Sequence, residues 1–174
     1  MFAKRLMLIS VLISLAMALH AVERLLPVPV PMPGVKLGLA NTVTLVGVYI
    51  LALPELVLLV VARTFLGSLF GGGMSAFFFS ISGGLLSLVA MLLLVRLAGR
   101  FLSVPTISMA GAIFHNLGQL LAAALIVRTL GIIFYLPVLM LSAIVTGLAT
   151  GIASRGALIF LRRAGYIRNS YGSF

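Results

Sequence analysis

The chain of 174 residues has no cysteine and no tryptophan, and among its acids there is no aspartate at all. Only two carboxylates occur, Glu23 and Glu55, against twelve lysines and arginines. Each shortage removes a class of function. Without cysteine there are no disulfides, no thiolate catalysis, no iron–sulfur ligation and no cysteine-based zinc site. Two isolated carboxylates cannot assemble the acidic clusters that two-metal and magnesium–diphosphate chemistry require. Charge is scarce altogether: 8% of residues are charged and 63% are hydrophobic. Soluble domains are typically ~25% charged. At a mean hydropathy of +1.32, a chain this short cannot hide its apolar surface from water. A disordered chain is excluded by the same numbers. The class that remains is an all-α integral membrane protein. The formal charge of +10 falls at the ends of apolar runs, so it reads as a topology signal and not as a nucleic-acid footprint.

The apolar runs predict six membrane-spanning helices, at about 6–22, 37–53, 55–70, 74–98, 106–127 and 132–153, in one transmembrane domain followed by a basic cytoplasmic tail at 155–174. Between the first two, Pro27, Pro29, Pro31 and Pro33 favour an extended path. Pro54 closes the second run, and Pro54-Glu55 opens the third with an acid in its first turn. Gly71-Gly72-Gly73 breaks the chain before the fourth. With six spans, Lys4, Arg5, Arg96, Arg100, Arg155, Arg162, Arg163 and Arg168 share a side, and Arg24, Lys36 and Arg128 take the other. Eight against three predicts a multi-pass cell-membrane protein with both termini cytoplasmic. The first run has a second reading as a secretory signal peptide, with Ala16-Met17-Ala18 as its cleavage pattern. It also carries small residues at four-residue spacing, Ser10, Ser14 and Ala18, which let another helix approach closely, from this chain or from a partner. The sixth run has similar stripes, Ala143, Gly147, Gly151 and Ser142, Thr146, Thr150, Ser154, which predict packing against protein. The arginine-rich stretch after it reads as lying on the anionic inner surface or as a solvated tail.

Ionisable groups inside a membrane are costly and mark functional sites. Arg63 lies nine residues past Pro54, about 13 Å along its helix. His115 lies nine residues past Thr106 on a second helix starting from the same side, so the two are placed at one depth. Asn116 and Gln119 accompany His115 at helical spacing. Asn41 sits about 6 Å into the second helix from the opposite surface, with Lys36 at its mouth, and Ser80 stands near Gly83-Gly84. Arg63, His115, Asn116, Gln119, Asn41, Lys36 and Ser80 are therefore the candidate ligand-binding residues. They would line a cavity in the outer half with no carboxylate in it, since Glu23 and Glu55 are read as span ends and His20 as interfacial. Such a cationic lining suits an anionic or acceptor-rich ligand. The bland reading is that these groups tie helices together, at ~0.6 kcal/mol per interhelical bond. No catalytic residues are expected, because no carboxylate orients His115. No metal site or cofactor is expected either, because two histidines make no ligand set.

Four segments carry a resemblance: Pro33-Gly34-Val35-Lys36-Leu37-Gly38-Leu39-Ala40-Asn41, Arg63-Thr64-Phe65-Leu66-Gly67-Ser68-Leu69-Phe70, Ser80-Ile81-Ser82-Gly83-Gly84-Leu85 and Gly111-Ala112-Ile113-Phe114-His115-Asn116-Leu117-Gly118-Gln119. In order and over essentially the whole chain, they resemble the family called heptaprenyl diphosphate synthase component I, also named Gx transporter. That family is similar to the substrate-binding S components of energy-coupling-factor (ECF) vitamin importers. The resemblance implies six helices with both termini inside, and links some members to flavin-based extracellular electron transfer and to quinone (menaquinone) metabolism. The synthase name fits the residues only as a non-catalytic accessory, since prenyl synthases hold magnesium and diphosphate with aspartates. The Ala-x-x-x-Ala docking pattern of S components survives only as Ser14 and Ala18. Two functions follow as expectations. One is a substrate-binding importer subunit for a small anionic or aromatic metabolite, needing a transmembrane coupling subunit and a separate ATPase module. The alternative is a non-catalytic membrane subunit of quinone or isoprenoid machinery. Its expected partners are lipid, those subunits and a small-molecule ligand, without nucleic acid.

Overall fold

The computed structural model describes residues 2–25, 38–70 and 73–166, and the regular structure there is all helical. Six α-helices occur in the order α1 Phe2–Leu25, α2 Leu39–Ile50, α3 Leu53–Leu69, α4 Gly73–Ala98, α5 Val104–Val127 and α6 Leu136–Arg163, with a 3-10 turn at Leu130–Tyr135 before α6. The proline run at 27–33, Lys36, Gly71-Gly72 and Arg168 lie outside the described residues.

The helix starts are written locally. At α3, Pro54 occupies the first turn, and Glu55 reaches back so that its Oε2 accepts the Ala52 N–H at 2.7 Å. At α5, Ser103 Oγ accepts the Thr106 N–H at 3.3 Å, with Pro105 in the first turn. These bonds satisfy N–H groups that a helix start leaves without partners. Arg128 ends α5 in the left-handed conformation, at φ 53°.

Among the described residues, four stretches are long and apolar enough to cross a bilayer: Arg5–Glu23, Gly73–Ala98, Val104–Val127 and Gly131–Arg163. Of the six spans expected from the apolar runs, these account for four, and α2 and α3 are shorter. The second run holds only twelve helical residues, a rise of about 18 Å, and α3 has seventeen. Gly38, at φ 76°, is left-handed and stops α2 from extending backward, while Leu51 is extended and Pro54 already belongs to α3. The short α2 is buried over Ala40, Asn41 and Val43 to Val48 and packs against α1, α3, α4, α5 and α6. A helix that is apolar all round belongs inside a bundle, and a helix may end at membrane depth only where protein surrounds it.

The long helices pack through small residues. A Cβ on Gly118 would come within 2.7 Å of the Ser82 carbonyl oxygen, and one on Gly83 within 2.6 Å of the His115 carbonyl oxygen. The α4 and α5 backbones therefore touch. On the other side of α5, Gly147 and Gly151 face the Cα atoms of Met109 and Pro105, and Ser108 and Thr150 share a hydrogen bond at 3.0 Å. The small stripes of the sixth run thus meet α5, as their composition predicts. α6 runs on to Arg163 and buries Leu158 completely, against a cluster that includes Val48, Val95 and Val104. Leu158 continues the spacing Gly147, Gly151, Ser154, so the first arginines of the expected tail are the outer face of the last turns of a packed helix.

One end of the bundle gathers the start of α1, the α2–α3 corner, the end of α4, the start of α5 and the end of α6. Arg5 Nη1 meets Glu55 Oε1 at 3.2 Å there, and Arg96 shares a recess with Ala52 and Leu53. Around the outside, Met7, Val11, Val89, Leu93, Leu125, Leu141, Val145 and Ile152 are among many exposed large apolar residues. A continuous apolar surface of this kind is lipid-facing.

Candidate functional site

The depth at which α2 begins creates the site. α2 rises twelve residues from the α2–α3 corner and stops, and Arg63 stands ten residues up α3 from the same corner. At ~1.5 Å per residue these points coincide in depth. Above the start of α2, four longer helices enclose a space lined by Ala16, His20 and Glu23 of α1, Gly38, Ala40 and Asn41 at α2, Arg63, Thr64 and Gly67 of α3, Ser80 of α4 and His115 of α5. Its volume is about 30 Å³, room for about two water molecules.

Arg63 is 9% exposed. Its Nη2 donates to Asn41 Oδ1 at 2.8 Å, and its Nε–H has no hydrogen-bond partner among the described residues. Glu23, 4% exposed, attracts Arg63 across the chamber, and its Oε1 accepts the Gly38 N–H at 2.6 Å. A carboxylate at the amino end of a helix is favoured by the helix dipole, so Glu23 is held by both the α2 terminus and the guanidinium. Thr64 donates its hydroxyl to the Val60 carbonyl at 2.8 Å. Small residues make the approach of the side chains feasible. A Cβ on Gly84 would come within 2.9 Å of Val60 and 3.5 Å of Arg63 Nη2; one on Gly83 would come within 3.0 Å of His115 Nδ1; and one on Gly67 would come within 3.4 Å of His20 Nε2.

Of the residues singled out from the sequence, Arg63, His115, Asn41 and Ser80 come together in this lining. Asn116 is buried but turned to α6, where its Nδ2 donates to the Leu139 carbonyl at 2.9 Å, which is helix-to-helix tethering. Gln119 is buried with its Cγ against Gly83 and lies outside the lining. Lys36 is outside the described residues. Ser10, Ser14 and Ala18 are all exposed, on the side of α1 away from buried Ile9, Leu12 and Ala16.

Two chamber residues extend the sequence reading. Glu23 closes the apolar stretch Arg5–Glu23, as expected of a span end, but it also lines the chamber, which is therefore not free of carboxylate. His20, three residues before that end, is also part of the lining. The signal for both was the spacing 9, 12, 16, 20, 23, one face of a helix. With Glu23 present, the wholly cationic lining expected from sequence is replaced by one that carries both signs. Among the described residues, no group of three histidines or carboxylates is placed to hold a metal ion. A larger recess of about 630 Å³ lies on α4 and α5, lined by Phe78, Ser82, Leu85, Leu86, Val89, Gly118, Leu121, Ala122, Leu125 and Ile126. It is an open, almost wholly apolar groove of the lipid-facing surface and brings no chemistry together.

No curated protein and no solved structure matches the chain. Residues 12–157 match the family model described as heptaprenyl diphosphate synthase component I, and with most of its length inside that match the chain belongs to this family.

Proposed function

We propose that this chain is a membrane-embedded binding subunit without catalytic activity of its own, which receives the polar end of a small molecule in the chamber around Arg63. The observation that carries the reading is the convergence of a guanidinium, a carboxylate, two imidazoles and an amide from α1, α2, α3 and α5 on one buried space. Glue between helices needs pairs of groups. Here Arg63 keeps a buried N–H that has no partner among the described residues, which costs ~1–3 kcal/mol unless something binds to it. In this reading the helices form a six-helix, S-component-like importer unit, with α2 and α3 as the short inner hairpin. A separate coupling subunit and ATPase module supply energy, since the sequence has no nucleotide-binding motif. The exposed stripe Ser10, Ser14, Ala18 gives a partner helix a surface for close approach.

A second reading has its own support in the description of the family. A component I implies a second component, and a chain without aspartate leaves diphosphate chemistry to that partner. The two readings separate in one reconstitution. An importer subunit gives accumulation of the co-purified molecule in vesicles when joined to an ATPase module. A synthase subunit changes the prenyl-chain synthesis of its partner component.

The ligand itself is reached by mass spectrometry of small molecules released from the purified protein. For the molecule so found, Arg63→Gln is expected to weaken binding ten- to a hundredfold, the loss of one charge-assisted bond of ~1.5–3 kcal/mol. Arg63→Lys restores part of it, because the planar fork is gone. Unchanged affinity in a folded Arg63→Gln protein would assign Arg63 to structure alone.

Both termini are placed on the cytoplasmic side in this reading. Support comes from the basic end of the bundle, which holds Lys4, Arg5, Arg96, Arg100, Arg155, Arg162 and Arg163, against Arg24 and Arg128 at the other. A carboxy-terminal fusion to green fluorescent protein is expected to be bright and one to alkaline phosphatase inactive. The reverse pattern would invert the orientation.

A further inference from the structure

The recess at the basic end of the bundle has a chemistry of its own, independent of the chamber. We infer that it is a site for an anionic phospholipid, with the Arg96 guanidinium on the lipid phosphate and the glycerol and first chain carbons against the apolar walls.

The recess comes from the place where α2 stops. The chain is extended at Leu51 and Ala52 between the end of α2 and the start of α3. Beside that corner, α4 continues to Ala98 with Arg96 in its last turn. Between them lies a space of about 200 Å³, walled by Leu51, Leu53, Leu56, Leu92 and Val95, with Arg96 as the charged side chain of its lining.

The first ground is that Arg96 lacks a counter-ion. The chain has two side-chain carboxylates, Glu23 and Glu55, so the residues outside the described ones bring no further acidic side chain. Glu23 stands near the far end of α1. Glu55 is shared between two other donors, with Oε1 on Arg5 Nη1 at 3.2 Å and Oε2 on the Ala52 N–H at 2.7 Å. The helix ends do not set the sign, because α2 and α4 end here while α3 and α5 begin, and their dipoles oppose. The guanidinium decides it, and its planar fork matches two phosphate oxygens.

The second ground is that the surroundings are apolar. Leu53, Leu93 and Leu97 are exposed beside the recess and belong to the lipid-facing surface. A free phosphate here would give up water to leucine walls without recompense. A lipid phosphate brings its own apolar chains to those walls. A zwitterionic headgroup would bring its amine to an end that holds Arg5, Arg96, Arg100 and Arg155, where Glu55 is already engaged. A headgroup of net negative charge meets no such conflict. The third ground is size. The volume of about 200 Å³ is room for about seven water molecules, enough for a phosphate diester and part of its glycerol.

The full chain, purified in detergent and stripped of lipid, is titrated with short-chain phosphatidylglycerol, with phosphatidylcholine of the same chains and with glycerol phosphate, and bound molecules are counted by native mass spectrometry. Phosphatidylglycerol is expected to bind at least ~10-fold more tightly than phosphatidylcholine, and glycerol phosphate in excess should not displace it. Arg96→Gln should weaken phosphatidylglycerol by ~10- to 100-fold, the loss of a charge-assisted bond. Arg96→Lys should restore part of this. Arg100→Gln should cost no more than the ~5-fold of one general surface charge. Ala52→Leu, which fills the recess and leaves every charge in place, should weaken the lipid as Arg96→Gln does. Equal binding of the two lipids would overturn the inference. Equal losses from Arg96→Gln and Arg100→Gln, or full binding by Ala52→Leu, would reduce the recess to part of a diffuse basic surface and overturn it too. Displacement by glycerol phosphate would make the site one for a soluble phosphate and would contradict the lipid. Should a variant fail to fold, the ranking of the three molecules on wild type decides.

Discussion

Replacing Glu23 with alanine is expected to destabilise the protein by about 3–5 kcal/mol, the cost of leaving a buried charge without its counter-ion. Arg63 is 9% exposed, and its Nη2 reaches a neutral amide. Glu23 is the acid that attracts it. The same carboxylate accepts the Gly38 N–H, so its removal also releases the amino end of α2, whose left-handed Gly38 has no side chain to cap it. Glu23→Gln keeps the shape and the bond to Gly38 and should lose less than alanine. Combining Glu23→Gln with Arg63→Met should recover most of the loss, since apolar replacement of a whole buried pair is often neutral or stabilising. Unfolding curves in detergent check all three. A fully stable Glu23→Ala protein would mean that Arg63 finds its counter-charge elsewhere.

Gly118→Ala is expected to cost about 1–3 kcal/mol from overpacking, reduced by the ~1 kcal/mol that alanine contributes over glycine in a helix. The first effect wins because the new methyl would meet α4 backbone: the Ser82 carbonyl oxygen at 2.7 Å, Gly83 Cα at 2.8 Å and Gly83 N at 3.0 Å. Backbone cannot swing aside as a side chain does, so α4 and α5 must separate. Gly118→Leu should abolish the native packing. Because Gly83 lies against His115, the same separation should open the chamber and weaken ligand binding along with stability. Gly156→Ala is the matched control. Nothing lies within 4 Å of its added Cβ, so only propensity acts, and stability should rise by about 0.5–1 kcal/mol. Equal effects at both positions would contradict the close α4–α5 approach.

Much of the site was legible because the membrane makes polar residues conspicuous. Arg63 and His115 interrupt apolar runs, and their helices start from one end, so counting residues placed them together. Glu23 and His20 escaped the same logic because they stand where an apolar run fades. Composition reads that as a surface, while the helix period continues through Ala16, His20 and Glu23. The length of α2 was hidden for another reason. Seventeen apolar residues look like a span by hydropathy, but one left-handed glycine and one extended leucine reduce the helix to twelve. Hydropathy also cannot distinguish burial in protein from burial in lipid. The end of α6 was lost to its arginines, which mark one face of the helix, while Leu158 on the opposite face is fully buried.

The claim on which the rest depends is that α1 and α3 meet through Glu23 and Arg63 in a single chamber. A double-mutant cycle with Glu23→Gln, Arg63→Gln and the pair, read as unfolding free energy in one lipid or detergent, measures it directly. The account predicts a coupling of at least ~1 kcal/mol, with the pair less destabilised than the sum of the singles, as for residues in one charge network. Additivity within ~0.3–0.5 kcal/mol, the behaviour of independent sites, would contradict it.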